Sequence, residues 1–111
     1  MTRRRAAAEL PDDPALPALV ALREAEDALV GLRTAQDRSG AQERQVIALR
    51  RALDLATMRY QNGVSSYLDV LDAQRGLFGA ELALTQAERD QLVAAVQLYR
   101  AVGAGWPAAH P

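Results

Sequence analysis

A proline-free stretch in the last part of the chain carries hydrophobic residues in two interleaved sets, and this pattern constrains the fold most. No proline occurs between Ser66 and Val102. One set of positions steps by alternating threes and fours, and we call it the first seam: Leu68, Leu71, Arg75, Phe78, Leu82, Thr85, Arg89, Leu92, Val96 and Tyr99. The second seam repeats these steps two residues further on: Val70, Ala73, Leu77, Ala80, Leu84, Ala87, Gln91, Ala94 and Leu98. At ~3.5 residues per turn, two residues rotate by about 200°, so the seams lie on nearly opposite sides of one long helix.

Two more polar strips separate the seams. One strip contains Asp69, Asp72, Gly76, Gly79, Gln86, Asp90 and Gln97, and the other contains Gln74, Glu81 and Glu88. A helix in a two-stranded coiled coil needs only one apolar seam, and a helix at the centre of a bundle is apolar nearly all round. Two opposed seams are typical of a helix in a wall of helices, with a neighbour on each side and water on both faces. Arg75, Arg89 and Gln91 interrupt this pattern.

A second helical stretch precedes this one. Its main apolar positions are Leu22, Leu29, Leu32, Val46, Leu49 and Leu53. Ser39-Gly40 lowers helix propensity, so the pattern predicts either one long helix with a weak point or two helices with a break. Asn62-Gly63 tolerates positive φ and predicts a left-handed cap at the end of this helix. Ser65 or Ser66 could then cap the next helix, whose first turn contains Asp69.

These signals predict an all-α fold, a long antiparallel helical hairpin that resembles a coiled coil. We expect an irregular leader over residues 1–17, a first long helix over 18–60 and a turn over 61–66. A second long helix is expected over 67–102, followed by a tail over 103–111. Gly103 and Gly105 are expected to end that helix.

Composition excludes several classes of function. Thirteen arginines balance fourteen acidic residues for a net charge of −1, and the short cluster Arg3 to Arg5 is not enough to predict nucleic-acid binding. Without cysteine, and with a single histidine at His110, neither a metal site nor a cofactor is expected. No nucleophile–base pair or phosphate-binding loop is present, so we expect no enzyme. Leu10 to Pro14 stands where a signal peptide needs an apolar core, so no export signal is expected either.

Two segments resemble a known family. Residues 59–75 read RYQNGVSSYLDVLDAQR and resemble the pattern RYxxGxxSYLxVLDAQR, and residues 98–106 read LYRAVGAGW and resemble LYKALGGGW. These patterns are those of TolC-type outer-membrane efflux channels, in the lipoprotein branch that serves resistance-nodulation-division pumps. The resemblance indicates the C-terminal periplasmic hairpin of such a channel. The departures are Arg100 for Lys, Val102 for Leu and Ala104 for Gly.

The resemblance implies a role in multidrug efflux. Such channels are homotrimers with a β-barrel in the outer membrane and a helical barrel across the periplasm. Their hairpin tips meet a periplasmic adaptor protein, which links them to an inner-membrane pump. The resemblance implies the following roles: Asn62, Gly63, Val64 and Ser65 contact the adaptor, Tyr60 constricts the entrance, and Asp69 and Asp72 face the lumen. Ser65 stands where some relatives carry a gate-closing arginine, so no arginine lock is expected.

The residues themselves leave alternatives open. Asp69 and Asp72 lie three apart on one helix face, where three chains would form a ring of carboxylates that favours cations. Both could instead merely complement the helix N-terminus, and Tyr60 could simply pack beside the turn. The chain shows no signal peptide, lipid-bearing cysteine, barrel strands or first hairpin repeat, so a stand-alone or truncated interaction module is the alternative function. An adaptor hairpin fits less well, because the motifs match the channel.

Overall fold

Two long α-helices account for nearly all of the chain that the structure covers. A computed structural model describes residues 15–105. Helix α1 spans Ala15–Gln61 (47 residues) and helix α2 spans Tyr67–Gly105 (39 residues), with residues 62–66 between them. The predicted all-α helical hairpin is confirmed. The features noted at Arg3 to Arg5 and His110 lie outside the described residues.

Both helices extend further than the sequence indicated. Helix α1 begins at Ala15, so Pro17 lies within its first turn. Proline is tolerated there because the first N–H groups of a helix have no intrahelical acceptor. Helix α2 continues through Gly103 to Gly105, and the end expected at Val102 was therefore wrong. Glycine costs roughly 1 kcal/mol relative to alanine inside a helix, which weakens the last turn without forbidding it.

Helix α1 is continuous where the sequence left open a break. The helix runs through Ser39 and Gly40, and Ser39 is buried. Tertiary packing at this point offsets the low intrinsic propensity, as it does for most helices in folded proteins.

The hairpin comprises two compact units, of which Thr34–Leu92 contains the turn. In this tip unit, the second seam of α2 is buried or half-buried from Val70 to Gln91. Helix α1 contributes a matching set with the same alternating steps: Ala35, Ser39, Gln42, Val46, Leu49, Leu53 and Ala56. Both sets follow the 3.5-residue repeat of a coiled coil, so the two helices pack along one continuous seam in this unit.

The other unit contains the remaining described residues, 15–33 of α1 and 93–105 of α2. The shielded positions of its α1 segment are Ala21, Ala25, Ala28 and Leu32. Those of its α2 segment include Ala94, Leu98 and Ala101. The alternating steps of the repeat are thus the same as in the tip unit, with alanine even more frequent.

Alanine recurs at every seventh position of the second seam, at residues 73, 80, 87 and 94. Ala80 and Ala87 are among the most buried side chains of the described chain. Helix separation depends on the side chains at the contact, so a seam of alanine favours a close approach. In the tip unit, a Cβ added at Gly76 would lie 4.0 Å from Leu49 Cδ2 across the helices. The scarcity of aromatic residues in the sequence fits this thin core.

Neither helix contains, within residues 15–105, a segment long and apolar enough to cross a membrane.

Candidate functional site

The turn at the end of the hairpin is built almost entirely from backbone hydrogen bonds. Gly63 N–H donates to Tyr60 O at 3.0 Å, and Val64 N–H donates to Arg59 O at 2.8 Å. These two bonds define a Schellman motif, with Gly63 in the left-handed region at φ 72°. The left-handed cap predicted from Asn-Gly is confirmed.

The start of α2 differs from the predicted serine cap. Asp69 N–H donates to the carbonyl oxygen of Ser66 at 3.2 Å, which is a backbone bond. The Ser65 hydroxyl is buried and has no hydrogen-bond partner. The side-chain capping expected from these serines is not what holds this end of the helix in the structure.

Two tyrosines flank the turn and touch each other. The rings of Tyr60 and Tyr67 meet edge to face, with centroids 5.1 Å apart and planes at 71°. Both side chains remain about half exposed. This contact makes Tyr60 a packing residue of the turn, and its exposed part is still free to meet another chain.

A shallow recess lies on one side of the hairpin beside the turn. Helix α1, the turn and the first turn of α2 line it with these residues: Ala52, Leu55, Ala56, Arg59, Ser65 and Asp69. Its rim carries one cationic and one anionic side chain, and Ser65 supplies a hydroxyl whose hydrogen-bonding capacity is unused. The arrangement offers two opposite charges to a polar side chain from another protein, whereas the Ser65 hydroxyl lies beneath the surface and out of its reach.

The sequence motif points to Ser65 and Asp69 but not to their α1 neighbours. Arg59 and Leu55 enter the recess because the turn folds α2 back beside the last two turns of α1. The available signal was that Ala56 and Leu55 precede Arg59 by three and four residues. That spacing does not show which side of the helix the turn will cover.

The acidic residues are on the surface. Asp69 and Asp72 are both exposed, three residues apart on the strip that also carries Gly76 and Gly79. The structure brings Asp69 to the recess and leaves Asp72 outside it. Within residues 15–105, no group of three potential metal-binding side chains comes together.

The two seams of α2 differ sharply in exposure. In the second seam, Val70 is 4% exposed and lies against the hairpin interior. In the first seam, Phe78 is 71% and Leu92 is 69% exposed. A lone hairpin thus leaves one apolar flank of α2 uncovered along the tip unit.

Comparison with known proteins identifies the family. The model of the outer membrane efflux protein family matches residues 17–104, which is most of the chain. The chain belongs to the outer membrane efflux protein family.

Individual relatives agree with this assignment. The solvent efflux pump outer membrane protein SrpC of Pseudomonas putida is 43% identical over 86 residues, which cover 78% of this chain and 18% of SrpC. The cation efflux system protein CusC of Escherichia coli is 38% identical over 86 residues, covering 78% of this chain and 19% of CusC. The outer membrane protein OprJ of Pseudomonas aeruginosa is also 38% identical, covering 78% of this chain and 18% of OprJ. The chain therefore spans about a fifth of the length of these curated relatives.

Proposed function

We propose that this efflux-family chain is a periplasmic tunnel segment of an outer-membrane efflux channel, and that its tip docks to the periplasmic adaptor of a tripartite pump. The observation that carries the proposal is the asymmetry of α2. One seam is buried against α1, and the opposite seam exposes Phe78 and Leu92. Exposed apolar stripes of this length mark a contact surface. In a helical tunnel, that surface packs against the next helix of the wall.

The tip has the properties of a docking end. Its Schellman turn fixes the backbone, so little ordering is needed on binding. Val64 projects from this turn and is 66% exposed. The recess beside it is lined by Arg59 and Asp69, which present two opposite charges to a partner. We assign adaptor contact to Asn62, Gly63, Val64 and Ser65.

The aperture role rests on the exposed polar strip. In a homotrimer, Asp69 and Asp72 from three chains would place six carboxylates around one opening and favour the passage of cations. Tyr60 would narrow the same opening from its position beside the turn. The channel would lie in the outer membrane with this segment in the periplasm, coupled through the adaptor to an inner-membrane pump.

A chimeric channel tests the proposal. The 86-residue matching segment of SrpC is replaced by that of this chain, and solvent efflux is measured in a Pseudomonas putida host lacking SrpC. Val64→Cys is then used for site-specific crosslinking to the adaptor. The matched control is Val30→Cys, because Val30 is 62% exposed but belongs to the other compact unit.

We expect restored efflux and an adaptor crosslink from position 64 only. Equal crosslinking from both positions would contradict tip docking. A correctly folded hairpin in a chimera that never assembles would favour the alternative, a stand-alone helical interaction module.

A further inference from the structure

The exposed first seam of α2 carries charge as well as apolar surface. In the tip unit, its apolar members include Leu68, Phe78 and Leu92, all well exposed. Arg75 and Arg89 occupy the same seam and are also exposed. The proposed packing of this seam in a tunnel wall accounts for the apolar residues. It does not account for the two arginines.

The two arginines stand at equivalent positions of the repeat. They are fourteen residues apart, which is two heptads, with Leu82 at the same heptad position midway between them. At ~1.5 Å per residue they lie roughly 21 Å apart along the helix. A neighbour that follows this seam therefore meets a positive charge twice, at a fixed interval.

Neither charge has an ion-pair partner among residues 15–105. Asp72 precedes Arg75 by three residues, yet no ion pair between them forms within the described residues. No carboxylate lies three or four residues from Arg89. Thr85, between the arginines, is satisfied internally, because its hydroxyl donates to Glu81 O at 3.1 Å.

A covering helix must compensate these charges. Burying a charge without a partner is strongly unfavourable, and polar residues in a coiled-coil seam are known to select partner and register. A second copy of α2 cannot compensate them. If two first seams pair antiparallel about Leu82, Arg75 faces Arg89, and parallel pairing places each arginine against itself.

Within residues 15–105, no other face of a second copy supplies two carboxylates at the required interval. Among residues 15–105, no two carboxylates are fourteen residues apart, so neither helix presents two acids in the same register. Helices α1 and α2 of a second copy are therefore unsuited to cover this seam, and a helix of different sequence is needed.

We propose that the first seam of α2 selects a neighbouring helix whose apolar seam carries two carboxylates two heptads apart, which pair with Arg75 and Arg89. This inference rests on the proposed tunnel role, because it names the chemistry of the lateral neighbour in that wall. It concerns a different surface from the tip and predicts a different measurement.

Binding of designed helices to the full 111-residue chain provides the test. Three labelled peptides share one leucine/alanine seam. The first has Glu at two positions fourteen residues apart, the second has Lys at these positions, and the third has Glu at positions seven residues apart. Dissociation constants are measured by fluorescence anisotropy in low and high salt.

We expect the first peptide to bind about tenfold more tightly than the second, from two attractive pairs replaced by two repulsive ones. It should also bind several-fold more tightly than the third. The differences should shrink in 1 M salt, where the screening length falls to about 3 Å. The double variant Arg75→Glu/Arg89→Glu should invert the preference between the first two peptides. Arg38→Glu/Arg50→Glu, with the same charge change on α1, should leave the order unchanged.

Equal affinity for the Glu and Lys peptides would overturn the proposal, as would an unchanged order in the Arg75/Arg89 variant. Sedimentation velocity would show whether the chain itself dimerises. A dimer that Phe78→Asp abolishes would assign the seam to a second copy and overturn the proposal. Because none of these measurements involves the adaptor, loss of the crosslink at Val64 alone would contradict only tip docking.

Discussion

Single residues determine the backbone of the tip. Gly63 adopts a positive φ, and its N–H closes one of the two bonds of the Schellman motif. A Cβ at this position would meet no atom within 4 Å, so the constraint is conformational and not steric crowding by neighbours.

Gly63→Ala should destabilise the hairpin by about 1 kcal/mol, because an L-residue in the left-handed region is strained by roughly that amount. Gly79→Ala is the matched control. Gly79 lies inside α2 with open space around it and no positive φ, so alanine should stabilise by about 0.5–1 kcal/mol. Urea denaturation followed by circular dichroism measures both, and equal effects of the same sign would refute the assigned role of Gly63.

Ser65→Ala should leave the hairpin as stable as before or slightly more stable. Its hydroxyl is buried without a partner, so removing it relieves a desolvated polar group. Urea denaturation followed by circular dichroism measures the change. A stability loss of more than about 1 kcal/mol would show that the hydroxyl has a structural role in the hairpin itself.

The sequence predicted the glycine of the turn and missed the cap that follows. Asn-Gly is specific because few residue pairs tolerate positive φ. A serine before a helix offers several alternative hydrogen bonds, and only the folded turn decides among them. Here a backbone hydrogen bond caps the start of α2, and the Ser65 hydroxyl has no hydrogen-bond partner.

At the scale of the helix, the decisive property is the difference between the two seams of α2. The second seam is the hairpin interior, and alanine at every seventh position keeps it narrow. The first seam has large side chains and no partner within the described chain. Helix α2 therefore packs closely against α1 through its second seam and exposes large side chains for another contact along its first seam.

Enlarging an alanine of the second seam should separate the helices. Ala87→Leu, at a position only 4% exposed, should destabilise by about 1–3 kcal/mol through overpacking. Ala95→Leu is the control, because Ala95 is exposed on the same helix and its change should stay within about 0.5 kcal/mol. Thermal unfolding of both variants measures the difference, and similar melting temperatures would argue against a closely packed seam.

The two seams of α2 could be recognised in the sequence because leucine and aromatic residues recur along them. The corresponding set in α1 could be recognised only at Val46, Leu49 and Leu53, since its other members include Ala35, Ser39 and Gln42. Small and polar residues give almost no periodic signal, although α2 covers them. The possible break at Ser39-Gly40 had the same origin, because propensity there was judged without the packing that maintains the helix.

At the scale of the assembled channel, the first seam is expected to control assembly and not hairpin folding. Phe78→Gln/Leu92→Gln should change the stability of the isolated chain by less than about 0.5 kcal/mol, because both side chains are mostly exposed. In the chimeric channel it should abolish the trimer on native gels. The control Glu81→Gln/Glu88→Gln lies on a polar strip and should leave the trimer intact; loss of assembly there too would remove the distinction between seam and strip.

The exposed aspartates are expected to affect ion passage. Asp69→Asn/Asp72→Asn in the chimeric channel should reduce the preference for cations over anions roughly twofold in planar-bilayer recordings. The carboxylates carry negative charge, and their amide counterparts do not. Asp90→Asn, further along the same strip, is the control; an unchanged ion preference in the double variant would leave Asp69 and Asp72 as helix-terminal charges only.

Family membership could be anticipated from residues 59–75 and 98–106, whereas the surroundings of the site could not. The motif names Tyr60, Asp69 and their neighbours, but a linear pattern does not reveal that Arg59 and Leu55 share a recess with Ser65. Such a recess depends on how the turn returns the chain, which is a property of three-dimensional packing.

At the proposed docking end, the backbone conformation of the turn is independent of most of its side chains. Its hydrogen bonds join main-chain atoms, so only Gly63 is tied to a particular residue type by geometry. Asn62 and Val64 are exposed on this preset frame. Their side chains can be exchanged without redesigning the hairpin, and in the proposed docking role two substitutions would change the surface that a periplasmic partner meets.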